Sequence, residues 1–377
     1  MVEQTSNSLE LNTPAGVRDY VLRNRSSLNE RLHKELADVV VTPISGGLAN
    51  HTYRVILKEE NSEEDSSFVI KYAPPVVASN PSWPLDSKRG FFEYSALQHV
   101  PSFKLSTTST LVNTPEAIRY DDKAFVLSIG DAGVTTRTLK QRLIEDAKNL
   151  DIPAIGQALG EWLAELHRWG RSEAAAPLRK ILAQNTEIAD LAIKYTFQGL
   201  VPEDDPLWKN VLEYVNDLRD QDKNDSDFIV HGDFWTGNIL VSDPHVAEIH
   251  ATKPTTLTVV DWEASNCRNF TWNDVGQMCA EMYQPTFFGH AGDHGTKLVS
   301  EFVKAYLSRL ELSQEERRLA CMRFGVHLFV WPGVTGWGDE VSVAECKKLG
   351  REFVDRAWHS DWSWLGKSVL RDLVLAQ

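Results

Sequence analysis

Between Val39 and Ala73 the chain passes three times through a short segment rich in β-branched and aromatic residues: VVVTPISGG, TYRVILK and SFVIKYA. Glycines or the acidic turn KEENSEEDSS separate them, and connections this short force successive strands to run antiparallel. One segment of helical spacing follows, SKRGFFEYSALQHV, with Phe91, Tyr94, Ala96 and Leu97 on its apolar face. Two further strand candidates, TLVNTPEAIRY and AFVLSIG, are joined by the turn DDK. The pattern predicts a small, mostly antiparallel β lobe holding one main helix.

After Ala132–Gly133 the spacing changes. TLKQRLIEDAKNL and IGQALGEWLAELHRWG are helical by period, the second with Ile155, Leu159, Trp162, Leu163 and Leu166 on one stripe. Helical spacing returns in DPLWKNVLEYVNDL, GTKLVSEFVKAYLSRL and SQEERRLACMRFGVHLFVW. Only two strand-like stretches interrupt it, IVHGDFWTGNILV and TTLTVVDWE, read as a two-strand insert with polar loops at its ends. The expected class is α+β, and 377 residues exceed what one core usually holds. We expect an N-terminal helical extension over 1–38, a small lobe over 39–131 and a mainly helical lobe over 132–377.

A net charge of −14 argues against nucleic acid as partner, since phosphate-backbone binding relies on Lys and Arg. It favours cationic ligands over anionic ones. The N-terminal MVEQTSNSLELNTPAG has neither the basic nor the apolar region of a signal peptide, and no apolar run reaches the length of a membrane span. Cys267, Cys279, Cys321 and Cys346 are scattered without a CxxC pattern and read as reduced core residues. A cytoplasmic protein with no membrane or nucleic-acid partner is expected.

Four polar elements stand in a fixed order along these segments. In PISGGLANHTYRV the pair Gly46 and Gly47, with Asn50, lets backbone approach a phosphate closely, or simply forms a hairpin turn. In FVIKY a strand presents Lys71, and Glu93 follows on the helix; such a pair aims an ammonium at nucleotide phosphates, unless both are solvated charges. HGDFWTGN supplies Asp233, a carboxylate for an attacking hydroxyl, and Asn238, an amide oxygen for a metal; the ordinary alternative is an Asx turn. VVDWE ends a strand on Asp261, a second hard-oxygen ligand or a cap.

Taken together, ISGGLANHTYRV, FVIK, HGDFWTGNIL and VVDWE closely resemble the aminoglycoside phosphotransferase and choline kinase superfamily, from about Ile44 to Trp358. The branch most resembled is the methylthioribose-kinase-like one, with fungal small-molecule kinases such as 4-hydroxytryptamine kinase; HLFVWPGVTGWGDE also resembles it. The resemblance implies a bilobal protein-kinase-like fold and an ATP- and Mg2+-dependent transfer of phosphate to a hydroxyl. It assigns Asp233 as catalytic base, Asn238 and Asp261 as magnesium ligands, and Lys71 with partner Glu93 to the phosphates. Gly46, Gly47 and Asn50 match the phosphate loop. FVLSIGDAG matches the adenine linker, through the Ser128 carbonyl and the Gly130 N–H, although relatives often carry an acidic or amide residue near Gly130. The loop SDPHVAEIHATKP departs from the pattern as a surface insertion.

His231 is expected to position the loop, Asp274 to cap a helix in support of it, and His167 to be structural. Glu263 is read either as support for the site or as a substrate contact. The acceptor is expected near Trp235, Trp262, Trp272, Tyr283, Trp331 and Trp337, with Trp235, Glu263 and Trp331 as candidate contacts; most of these rings also suit a core. An amino alcohol or hydroxylated aromatic amine stands beside a methylthioribose-like sugar as acceptor, and the protein is expected to be a monomer or homodimer. The rival reading is a nucleotide-binding pseudokinase acting as an interaction module. A protein kinase is disfavoured, because the HRD, DFG and APE patterns are absent.

Overall fold

A computed structural model describes residues 10–28, 36–45, 47–59, 65–107, 109–197, 205–221, 228–242, 254–268 and 270–375. Gly46 and most of the loop SDPHVAEIHATKP lie outside the described residues. The chain divides into two compact units, Met1–Gln98 with Pro115–Val134, and His99–Thr114 with Thr135–Gln377.

In chain order the first unit contains α1 (Pro14–Leu28), β1 (Leu36–Pro43), β2 (His51–Glu59) and β3 (Ser66–Tyr72), then the short pair β4 (Val76–Val77) and β5 (Asn80–Pro84). Next comes α2 (Arg89–His99); β6 (Thr110–Asn113) belongs to the second unit, and β7 (Ala117–Asp121) and β8 (Val126–Gly130) return to the first. The main sheet has the order β1-β2-β3-β8-β7 and is antiparallel throughout. Strand β2 shows why one face is fixed: Tyr53, Val55 and Leu57 are buried while Thr52, Arg54 and Ile56 stay partly exposed, the period of two that a pleat imposes.

The N-terminal helix α1 packs onto the sheet: Val17, Tyr20, Val21 and Leu28 join Val39, Tyr53, Val55, Phe68, Ile70 and Val126 in one buried cluster. The Tyr20 hydroxyl also donates to Asp121 Oδ2 at 2.9 Å, tying the helix to the end of β7. TLVNTPEAIRY is two strands rather than one. Its first part, β6, pairs parallel to a strand further along the second unit, and Thr114–Glu116 separate it from β7.

The second unit continues with β9 (Arg137–Thr138), α3 (Leu139–Glu145), α4 (Ile152–Gly170), α5 (Ala176–Leu182), α6 (Thr186–Phe197) and α7 (Pro206–Gln221). β10 (Ile239–Ser242) and β11 (Thr255–Val259) precede α8 (Thr271–Phe287), α9 (His294–Arg309), α10 (Gln314–Val330), α11 (Pro332–Thr335), α12 (Glu340–Trp358), α13 (Trp362–Leu365) and α14 (Arg371–Leu375). The expected two-strand insert is a four-stranded sheet, β6-β11-β10-β9. Its first expected strand is shorter than the sequence implies: Val230 makes only an isolated bridge to Asn266.

Helix α4 is the axis of this unit. Its stripe of Ile155, Leu159, Trp162, Leu163 and Leu166 is buried, and so are Ala158 and Ala164 on other faces. A helix apolar on so many sides must be covered all round. Helix α9 lies close against it, since a Cβ at Gly160 would come within 2.2 Å of the Phe302 carbonyl. All four cysteines are free and buried. Among the described residues no helix is long and apolar enough to cross a membrane.

Candidate active site

Register brings the polar ends of β10 and β11 together. Ile239 faces Val259 across the antiparallel pair, and Val260 N–H donates to the Asn238 carbonyl at 3.0 Å. Asn238, just before β10, and Asp261, just after β11, therefore emerge at the same end of the sheet. Asp261 sits in the left-handed region, at φ 67 and ψ 58, strain that an Asp tolerates better than a bulky residue.

The loop His231–Asn238 is held from beneath by helix α8. Asp274 accepts the backbone N–H groups of His231 at 2.9 Å and Gly232 at 3.0 Å, and His167 Nε2 lies 3.2 Å from the same carboxylate. The other nitrogen of His167 faces the Tyr306 hydroxyl at 2.9 Å, so the ring is fixed at both ends. Asp274 is not the helix cap expected from sequence: that position is Phe270, which makes no side-chain cap bond, and Asp274 lies in the first turn with its oxygens spent on the loop. Gly232 has φ +83, and a Cβ there would meet the Ala264 carbonyl at 2.2 Å, so only glycine fits. His231 is fully buried, with Nε2 3.2 Å from the Val260 carbonyl.

These constraints deliver Asp233, which is half-buried. Its Oδ1 accepts from Gln277 Nε2 at 2.7 Å and its Oδ2 from Asn238 Nδ2 at 3.2 Å. Burial, then the neighbouring charge of Asp261, push the carboxyl up to about 6, against the pull of both amides. The Asn238 amide nitrogen also donates to the Asp233 carbonyl at 3.0 Å, so its amide oxygen carries no hydrogen bond among the described residues. An amide oxygen and a carboxylate at one end of a hairpin are the hard oxygen donors that magnesium takes. The repulsion between Asp233 and Asp261 is the field a divalent cation relieves.

Behind Asp233 runs a buried chain of side chains that sequence reading missed. Arg323 Nη2 donates to Gln277 Oε1 at 2.9 Å, which orients the amide so that its nitrogen faces Asp233. Arg323 also donates to Asn273 Oδ1 at 2.8 Å, and His327 Nδ1 lies 3.3 Å from its Nη1. Since Arg323 only donates, Nδ1 of His327 accepts, and Nε2 carries the proton toward Glu281 Oε1 at 2.6 Å. Glu281 closes the chain by accepting from Thr236 of the loop at 3.2 Å. Burial lowers Arg323 to about 10, leaving it charged at neutral pH, and lowers His327 as well.

The first unit holds a separate set. Lys71, opposite Thr52 and Leu127 in the sheet, is buried and paired with Glu93 of α2 at 2.5 Å. Asn50 is anchored by Arg89, whose Nε donates to Asn50 Oδ1 and whose Nη2 donates to the Ala49 carbonyl, each at 2.8 Å. Arg89 was not anticipated, although it opens the same helix as Glu93. A Cβ at Gly47 would meet nothing nearer than 3.9 Å, so the protein leaves room there for another group's approach.

The Gly130 half of the adenine assignment needs correction. The Gly130 N–H donates to the Glu116 carbonyl at 2.9 Å and so is already spent inside the lobe. Ser128 lies mid-strand in β8, flanked by β3 and β7, and its hydroxyl is buried without a partner among the described residues. Past the strand, Asp131 accepts from Arg54 Nε at 2.6 Å; burial opposes its ionisation, but Arg54 and the Gly133 N–H overrule it and hold the carboxyl below its ordinary value.

Of the proposed acceptor contacts, Trp235 is half-buried in the loop itself, packed so tightly over Gly237 that a Cβ there would meet the ring at 2.2 Å. Trp331 is half-buried, with its indole nitrogen buried and unpartnered among the described residues. Glu263 is half-buried in the turn after Asp261, and its carbonyl accepts from Asn185 Nδ2 at 2.8 Å. Trp262 and Trp272 are core rings, the first donating to the Val259 carbonyl at 3.0 Å.

Comparison with known proteins gives this geometry a lineage. Residues 40–309 match the phosphotransferase enzyme family. A 4-hydroxytryptamine kinase of Psilocybe cyanescens is 25% identical over 92% of this chain and 93% of its own length. Its counterpart from Psilocybe cubensis is 24% identical over 92% of this chain and 95% of its own. In solved structures, a choline kinase from Cryptosporidium parvum Iowa II aligns at a TM-score of 0.50 and 13% identity, covering 94% of this chain and 98% of that one. The fold is thus the kinase-like α+β architecture expected from sequence, and the chain belongs to the phosphotransferase enzyme family.

Proposed function

We propose that this protein is a magnesium- and ATP-dependent kinase that phosphorylates a hydroxyl of a small molecule, with a hydroxylated aromatic amine as the first acceptor class to test. The observation that carries the reading is Asp233: a carboxylate fixed by two amides, beside a second carboxylate, with its proton affinity raised to about 6. A base of that strength takes a proton from an attacking hydroxyl near neutral pH while remaining mostly ionised. The 4-hydroxytryptamine kinases among its relatives support the acceptor class.

Asp233 orients the acceptor hydroxyl and receives its proton. Gln277, fixed by Arg323, keeps that carboxylate from rotating. Asn238 and Asp261 would hold magnesium, which neutralises charge on the nucleotide phosphates when bound. Lys71, held by Glu93, offers its ammonium to nucleotide phosphates, and Asn50 with Gly47 lines the phosphate loop. ADP release, measured with Mg-ATP and 4-hydroxytryptamine, choline or methylthioribose, tests the reading. Acceptor-dependent release is expected from the wild type and a loss of at least about a thousandfold from Asp233→Asn. Near-normal turnover in that variant, or no release by the wild type with any of the three, refutes it.

A further inference from the structure

Lys140 is the second residue of α3, in the first turn of the helix, where a cation opposes the helix dipole. Its ammonium nonetheless lies half-buried between two tryptophans, 4.2 Å from the ring centre of Trp337 and 5.6 Å from that of Trp235. Trp235 belongs to the loop that carries Asp233 and Asn238, so this cage adjoins the catalytic machinery. Neither ring is free to move aside: Trp235 is wedged over Gly237, and Trp337 stacks on Phe288 at 6.1 Å and 11°.

The polar partners of Lys140 are sparse. The Thr335 carbonyl lies 3.4 Å from Nζ, and among the described residues no carboxylate comes within ion-pair distance. The nearest acidic influence is Glu281, whose two oxygens already serve His327 and Thr236. An ammonium has three donors, so Lys140 keeps donors to offer a ligand.

We propose that Lys140 is a built-in occupant of the Trp235–Trp337 cage and thereby a specificity-determining residue: it excludes a cationic group from this corner of the site and favours a neutral or anionic acceptor group there. Two ammonium groups held within about 5 Å in a partly desolvated pocket repel each other more than two ring faces repay. An acceptor amine must therefore be carried elsewhere, while an oxygen of the acceptor can take the free donors. The inference concerns binding alone, so its failure would leave the phosphotransferase reading intact.

Tetramethylammonium is the probe, followed by ligand-observed NMR without nucleotide at constant ionic strength. Lys140→Met should bind it at least tenfold more tightly than the wild type. Lys140→Arg, which keeps the cation, should behave as the wild type, and Lys140→Met with Trp337→Ala should lose the gain. Lys140→Gln serves as a second opening of the cage, and each variant's unfolding transition confirms that it is folded. Binding as tight in the wild type as in Lys140→Met, or no saturable binding in either Lys140→Met or Lys140→Gln, overturns the proposal.

Discussion

If Asp233 is held against its own ionisation, the folded protein must be less stable for it in a way that pH reveals. A carboxyl that titrates near 6 in the folded chain and near 3.8 in an unfolded one costs the fold about 3 kcal/mol when ionised. Solvent reaching the half-buried side chain reduces that to about 2 kcal/mol. The sign follows from the raised value: the cost is present in full above pH 6, shrinks as pH falls toward 3.8, and vanishes below it. Asp233→Asn removes this titration. It adds a pH-independent loss of about 1–2 kcal/mol, because an amide cannot accept from both Gln277 and Asn238. The readout is therefore a slope: stability of the variant relative to the wild type should rise by about 1 kcal/mol between pH 5 and pH 7.5. Urea unfolding in EDTA, followed by tryptophan fluorescence, measures it in the relevant unit, since of the 12 tryptophans only Trp83 lies in the first. Asp261→Asn should flatten the same slope, its charge being the second cause of the shift. A difference that does not change with pH, or falls as pH rises, would refute the reasoning.

Gln277→Leu removes the donor that stabilises the Asp233 anion, so the acid limb of the kcat/KM profile should move up by about 1 pH unit, a hydrogen bond to a charge being worth that much; an unmoved limb would show that Gln277 only fills space. Glu93→Ala removes the ion pair that holds the buried Lys71 ammonium and should raise the KM for ATP at least about tenfold, as read from initial rates, and a normal KM would remove Glu93 from the phosphate site.

What was legible in the sequence was whatever lies close along the chain or has a fixed period. Asp233 and Asn238 share one loop, and the strands on either side announce where that loop and Asp261 must emerge. Lys71 and Glu93 could be paired because a strand and the helix after it leave few places for either. Strand pairing was harder: nothing in TLVNTPEAIRY says that its first half belongs to the second unit and joins β11 there, because that contact spans more than a hundred residues. The Gly130 N–H was misassigned for a related reason. A backbone N–H has no side-chain signature, and only the sheet shows that Gly130 has already given its proton to Glu116.

The polar chain behind Asp233 escaped notice although a signal was present. Asp274, Gln277, Glu281 and Gln284 recur at intervals of three and four along α8, one face of a helix, between Val275, Met278, Cys279 and Met282. A polar row usually marks the solvent side. Here all four are buried, and three find partners beyond the helix: the loop backbone for Asp274, Asp233 and Arg323 for Gln277, His327 and Thr236 for Glu281; Gln284 donates to Glu281 Oε1 at 3.3 Å, and its own oxygen has no partner among the described residues. Arg323 and His327, four residues apart on α10, are the complementary face. A buried polar group is costly unless it is paired, and the pairing of Asp274, Gln277 and Glu281 is what fixes the loop. Helix α8 thus acts as a ruler against which His231, Gly232, Asp233 and Thr236 are set at successive turns. A polar stripe in an otherwise apolar helix, directly after a strand-end aspartate, is accordingly the feature to read as support for a buried polar loop, here the one that carries Asp233, rather than as surface.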